Sequence, residues 1–155
     1  MGRIAGIARH ARSRGPIERI DRASVSVEGG IAGDLRGARK PGGTGKRQVS
    51  LMEAGDWAAA MAETGHNLPW WHRRANLLVE DFDLPQTPGT LLAIGDTVLM
   101  ELTVECDPCS RMDEIVDGLR AALTPDWRGG ALARVIRGGD IAVGDAIRIV
   151  EKPPI

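Results

Sequence analysis

Apolar positions recur along most of the chain in short alternating runs, separated by glycine-rich turns. Alternation places successive side chains on opposite faces of a strand. On that pattern residues 3–8, 17–27, 48–52, 76–80, 91–94 and 97–104 read as strands. Residues 131–136, 141–143 and 146–150 close the chain in the same way, with Gly138-Gly139-Asp140 and Gly144-Asp145 as their turns. Two segments have helical character. Residues 50–64 combine an Ala-rich run with Ser50 and Glu53 at capping-box spacing, and Gly65 stops them. Residues 110–123 open on Ser110, with Asp113 and Glu114 in the first turn. Between residues 36 and 47, Gly, Lys and Arg surround Pro41-Gly42-Gly43, which predicts a loop.

Many short strands with two helices imply a mainly β, α+β fold. A closed β-barrel with helices packed outside is the expectation, and a Greek-key sandwich is the alternative. The chain of 155 residues shows no repeat or linker, so a single domain over 1–155 is predicted.

Composition narrows the function classes. With 43% hydrophobic and 26% charged residues, the chain builds a real core and is not of the disordered type. It holds no apolar run near ~20 residues and no apolar N-terminal stretch of signal-peptide type, so a cytoplasmic protein with no membrane partner is expected. Aromatics make up 3%, which argues against a stacking platform for nucleic acid. The net charge of −1 conceals an asymmetry, because residues 1–50 hold eleven Lys or Arg against four Asp or Glu. That basic third either faces an anionic ligand or meets the acidic remainder across one folded surface.

The candidate chemistry centres on Glu105-Cys106-Asp107-Pro108-Cys109. Cys109 precedes the predicted helix, where unpaired amides and the helix dipole favour a thiolate, and Arg111 adds positive charge. Such a thiolate binds a soft metal, attacks an electrophilic sulfur or holds a persulfide. A small buried residue is the competing reading. Cys106 completes a C-x-x-C, which suggests a redox dithiol or half of a zinc site; no second Cys or His pair exists at zinc spacing, no βαβ unit is evident for a thioredoxin-type dithiol, and Cys106 at a strand end reads as a buried structural residue. His72-Arg73-Arg74-Ala75-Asn76 precedes a strand, and adjacent arginines in an extended segment point to opposite faces. Guanidinium forks suit oxyanions, and Asn76 offers both donor and acceptor. Arg36, Lys46 and Arg47 extend a candidate anion site, although each arginine alone is as well explained by a surface ion pair. Gly42-Gly43-Thr44-Gly45-Lys46 lacks the phosphate-loop frame, since Arg47 follows the lysine. Asp34 after Gly33 reads as a turn residue, with proton transfer as the alternative, and Trp70 and Trp71 are either pocket walls or core.

In this order the segments resemble the MOSC family, named for the C-terminal domain of molybdenum-cofactor sulfurases. The resemblance rests on Gly30-Ile31-Ala32-Gly33-Asp34, Gln48 to Glu53, Arg73 to Glu80, Ile94-Gly95-Asp96, Pro108-Cys109, Gly129 to Val135, and Gly139 to Asp145. It implies a barrel-like fold that binds the molybdenum cofactor (molybdopterin), with Cys109 as persulfide carrier or molybdenum ligand. Arg74 would hold the pterin or its phosphate, with Asn76 beside it. Arg73, Arg36, Lys46, Arg47 and Arg111 are the further candidate cofactor-binding residues. Ala75 intervenes where the family usually has Asn directly after the second arginine, and Asp81 replaces an expected glycine. No pyridoxal-phosphate half is visible in this chain, so the resemblance implies a separate sulfur donor or electron-transfer partner. The alternative function is a non-catalytic or regulatory domain that binds a pterin or small anion.

Overall fold

The computed structural model describes residues 2–12, 14–39 and 41–150; Met1, Ser13, Lys40 and residues 151–155 lie outside the described residues, and so do those ends of the predicted domain. The chain forms strands β1 (Arg3–Arg9), β2 (Glu18–Ile20), β3 (Arg22–Ser26), β4 (Gly30–Ile31) and β5 (Val49–Glu53), then helix α1 (Ala54–Thr64). A short 3-10 turn, Trp70–Arg73, leads to β6 (Leu77–Glu80), β7 (Leu91–Ile94) and β8 (Val98–Glu105). Helices α2 (Arg111–Ile115) and α3 (Leu119–Leu123) precede β9 (Ala131–Arg137), β10 (Gly139–Ala142) and β11 (Ile147–Val150). The fold is α+β and mostly sheet.

One sheet has eight strands in the order β11-β7-β8-β9-β5-β6-β1-β2, and a small one has the order β10-β3-β4. Every pairing in the large sheet is antiparallel except β5 with β6, where Leu51 faces Leu77 in a parallel register. Helix α1 makes the crossover between those two strands, so the chain does contain a βαβ unit, which the sequence pattern did not reveal. A parallel pair under a crossover helix must be apolar on both faces. Here Val49, Leu51, Leu77 and Val79 enter one core, while Met52 and Leu78 enter a second with Trp57, Met61, Met112, Leu119 and Leu123. The alternation of β5 and β6 thus supplies both cores from one pair of strands.

The expected closure of the barrel is not made by a continuous ladder. Strands β11 and β2 are the sheet's ends, and β1 meets the start of β11 through one bridge, Arg3 to Ala146, flanked by bonds between Ile4 and the 144–145 turn. Two helix expectations also change. Ser50 lies within β5, and α1 starts later, with Glu53 in the capping position and extended at φ −79° and ψ 136°. The reason is that Ser50 is engaged by Asn76 across the sheet. The predicted helix over 110–123 is two helices. Val116 turns extended, Gly118 takes φ 85°, and the Asp113 carboxylate accepts the Arg120 amide at 3.1 Å. The strand predicted over 17–27 is likewise split, and its halves β2 and β3 pair in different sheets.

Burial pushes the Glu53 carboxyl up to about 7, with Asp56 beside it adding to the rise. The unfolded chain ionises Glu53 near 4.5, whereas the folded chain keeps the proton until about 7. The folded state therefore binds more protons in that window, and this contribution to stability is lost as pH rises through it. Glu53→Gln should remove that loss. Thermal unfolding from about pH 4.5 to about pH 8 should show the wild type losing stability relative to the variant as pH rises.

Candidate functional site

Four connections converge at one edge of the parallel pair: the end of β1, the turn before β6, the loop after β8 and the loop before β5. They enclose a cleft of about 170 Å³ lined by six arginines and only two aspartates, Asp34 and Asp107. Cys106 and Cys109 both reach it.

The two adjacent arginines are separated by a device other than the predicted extended strand. Arg73 ends the 3-10 turn, and Arg74 takes a left-handed conformation at φ 68°. Arg73 is buried, at 8% exposure, and its Nη2 donates to the carbonyls of Cys106 at 3.0 Å and Gly129 at 3.1 Å. The same nitrogen lies 3.4 Å from Cys106 Sγ. Arg74 turns the other way, and its Nη2 donates to the Gly15 carbonyl at 2.6 Å. Gly129 leaves room for the Arg73 anchorage: a Cβ there would lie 2.6 Å from the Cys106 carbonyl oxygen and 3.2 Å from Arg73 Nη2.

Asn76 is engaged in architecture. Its Oδ1 accepts the Ser50 amide at 3.0 Å and the Ser50 hydroxyl at 3.2 Å, and its Nδ2 donates to the Ala8 carbonyl at 3.1 Å. It joins β5, β6 and β1 at the floor of the cleft, with one amide hydrogen left over.

Cys109 is exposed and carries a free thiol. Helix α2, which follows it, has only five residues and no side-chain cap bond. Its dipole is correspondingly short, and the other positive charges of the cleft are arginine side chains.

The electrostatics leave positive charge uncompensated. Burial and then Arg111, Arg14 and Arg36 lower the Arg74 pKa, with Asp34 the opposing neighbour. The group stays charged at neutral pH, so the crowding is a standing preference for an anion. Burial first and then Arg74 lower the His10 pKa and so favour the neutral ring, while Asp34 pulls the other way. Its Nδ1 is buried without a hydrogen-bond partner, 3.7 Å from Asp34 Oδ1. Asp34 is held by the His10 amide at 3.1 Å and the Arg36 amide at 3.3 Å, which is more than a turn residue requires.

Of the residues singled out from sequence, Cys109, Arg73, Arg74, Asn76, Arg36, Arg47 and Arg111 line the one cleft. Lys46 does not. It faces a neighbouring depression of about 410 Å³ that shares Arg36 and Arg47 with the cleft. Trp71 walls a wider outer pocket of about 530 Å³, joined to the cleft through Arg14, Arg74, Arg111 and Met112. The sequence reading missed His10 and Arg14, which follow β1 in a segment with no motif. Among the described residues, no group of three or more His, Cys, Asp or Glu is placed to hold a metal by itself, so a metal here would need an exogenous ligand set.

A mixed α+β domain with a cationic, thiol-bearing cleft is the class these features define. The family model of the MOSC domain matches residues 33–148, and the chain belongs to that family. Its fold is similar to that of the YuaD protein from Bacillus subtilis, at 21% identity and TM-score 0.72, covering 96% of each chain. It is also similar to YiiM from Geobacillus stearothermophilus, at 14% identity and TM-score 0.72, covering 97% of this chain and 76% of that one. YiiM from Escherichia coli gives 13% identity and TM-score 0.68, with 97% and 71% covered. No curated protein matches the chain by sequence.

The two arginines should separate experimentally. Arg73→Ala leaves buried carbonyls without a donor and should cost about 1–3 kcal/mol in urea unfolding. Arg74→Ala should leave stability nearly unchanged and weaken inorganic phosphate binding about tenfold, measured by calorimetric titration.

Proposed function

We propose that this domain binds the pterin-based molybdenum cofactor by its phosphate in the arginine-lined cleft and presents the Cys109 thiolate to the metal end. The observation that carries the reading is the exposed Cys109 thiol on a cleft with six arginines. Membership of the MOSC family supports it, since the family is associated with that cofactor.

The residues fit such a group. Arginine forks match phosphate, and a thiolate matches a soft metal or sulfur. The inner cleft, at about 170 Å³, is small for a whole ligand of this kind, but it opens into the outer pocket of about 530 Å³. Arg74, Arg36, Arg47 and Arg111 would hold the anionic end, with Lys46 adding charge at the mouth. Arg73 and Asn76 would act by building the floor. When bound, the cofactor supplies a metal with positions for sulfur donors. The neutral His10 ring is suited to hold or release a proton at Nδ1, with Asp34 beside it. The bridge between β1 and β11 supports reading the large sheet as a barrel open along that seam. Among the described residues no helix is long and apolar enough to cross a membrane. The reading calls for a separate sulfur or electron donor.

Protein produced in a molybdenum-competent host should carry molybdenum or cyanide-labile sulfur, detected by metal analysis and by intact mass without reductant. Cys109→Ser should lose that load while keeping its circular dichroism. Metal loss identifies Cys109 as a ligand, and labile-sulfur loss identifies it as a carrier. Full loading of the variant, or phosphate affinity undiminished in both Cys109→Ser and Arg74→Ala, overturns the proposal.

A further inference from the structure

We infer that Cys106 is a second working thiol of the cleft, which releases sulfur carried on Cys109 by closing a disulfide with it. The inference rests on the carrier arm of the reading above and names the step that empties the carrier.

Three observations place Cys106 outside the role of a core residue. It belongs to neither hydrophobic cluster, although it directly follows a core-forming strand. It lines the same cleft as Cys109, and both thiols are free. Its sulfur lies 3.4 Å from Nη2 of Arg73, a buried guanidinium whose Nε has no hydrogen-bond partner. A cysteine retained only to fill space would sit among apolar side chains. This one sits against a positive charge, in a loop between strand and helix, where C-x-x-C pairs do dithiol chemistry.

The two positions divide the work. Cys109 is exposed and can receive sulfur from a donor, whereas Cys106 is half-buried behind it. The Cys106 backbone is pinned, its amide on the Gly130 carbonyl at 2.9 Å and its carbonyl on Arg73. Cys109 is held through its carbonyl, which accepts the Met112 amide at 2.9 Å, and its side chain is exposed. Three residues of separation allow the loop to reach the Cα spacing of roughly 4.4–6.8 Å that a disulfide needs.

The step balances as follows. Cys109 carries a persulfide, Sγ–S–H. The Cys106 thiolate attacks Cys109 Sγ and a Sγ–Sγ bond forms. The bond from Cys109 Sγ to the outer sulfur breaks, and its electron pair leaves with that sulfur as hydrosulfide. The sulfane sulfur is reduced by two electrons, and the two cysteines are oxidised to a disulfide. A low-molecular-weight or protein dithiol then reduces the pair for another cycle.

The test loads purified, fully reduced protein with inorganic polysulfide, removes the excess, and follows sulfide release without reductant. Wild type should release sulfide and end with an intramolecular Cys106–Cys109 disulfide, mapped by non-reducing peptide mass. Cys106→Ser and Cys106→Ala should keep cyanide-labile sulfur on Cys109 and release sulfide at least about tenfold more slowly. If both variants release sulfide at the wild-type rate and no disulfide appears in wild type, the inference is wrong. If wild type and variants all hold labile sulfur equally, the inference fails while the carrier reading stands. If none takes up labile sulfur, the carrier reading falls and the inference with it. Disulfide mapping on wild type decides the question even where a variant is poorly folded.

Discussion

The cleft depends on one buried guanidinium. Arg73 lies under the loop after β8 and reaches the carbonyls of both Cys106 and Gly129, so it joins the end of one strand to the start of its neighbour. Without it the Cys106 loop would have a free carbonyl in a largely buried setting, a cost comparable to that of losing a charged hydrogen bond. Asn76 plays the complementary part three residues later, tying β5 and β1 to the entrance of β6. Between them, these two residues tie down the connections around the cleft, and the remaining arginines line it, Arg74 with one bond to the Gly15 carbonyl and Arg14 paired with Glu114. The division matters for function. Arg73 commits its Nη2 to two carbonyls, so in the proposed reading the grip on an anion falls chiefly to Arg74, Arg36, Arg47 and Arg111.

A folded protein pays for such a cluster in stability. Like charges crowd Arg74, and His10 nearby is pushed towards its neutral form. Asp34 supplies partial relief and is itself fixed by two backbone amides. A carboxylate held in this way limits repulsion without cancelling it. That balance is what the proposed anion site requires: enough compensation to fold, and enough residual field to bind.

Much of this was legible in the chain before any fold was known. Alternation located the strands, because period-two patterning survives wherever a sheet has distinct faces. The Pro108-Cys109 step and the arginine pair stood out by chemistry, and seven of the eight singled-out residues line one cleft. What escaped has specific causes. Ser50 and Glu53 matched a capping box, yet Ser50 serves Asn76, a partner twenty-six residues away that local spacing cannot show. The helix predicted from Ser110 breaks at Gly118, where the left-handed conformation and the Asp113 contact to Arg120 outweigh the helix-forming run that follows. Arg73 and Arg74 diverge because one ends a 3-10 turn and the next is left-handed, not because they alternate along a strand. His10 carried no motif at all; only the end of β1 brings it to Asp34.

The C-x-x-C shows what alternation alone leaves out. At the end of an alternating strand, Cys106 looks like the last core position, and alternation by itself favours that assignment. The fold places its sulfur against Arg73 instead, and a cation is a poor neighbour for a residue valued only for its apolar volume. The same guanidinium that secures the loop therefore also touches the second sulfur. Structural and chemical roles converge on Arg73 because a buried charge needs several acceptors, and a loop carrying a carbonyl and a thiol supplies both. In this fold the architecture of the cleft and the immediate surroundings of its second thiol rest on one residue, and neither can be altered without disturbing the other.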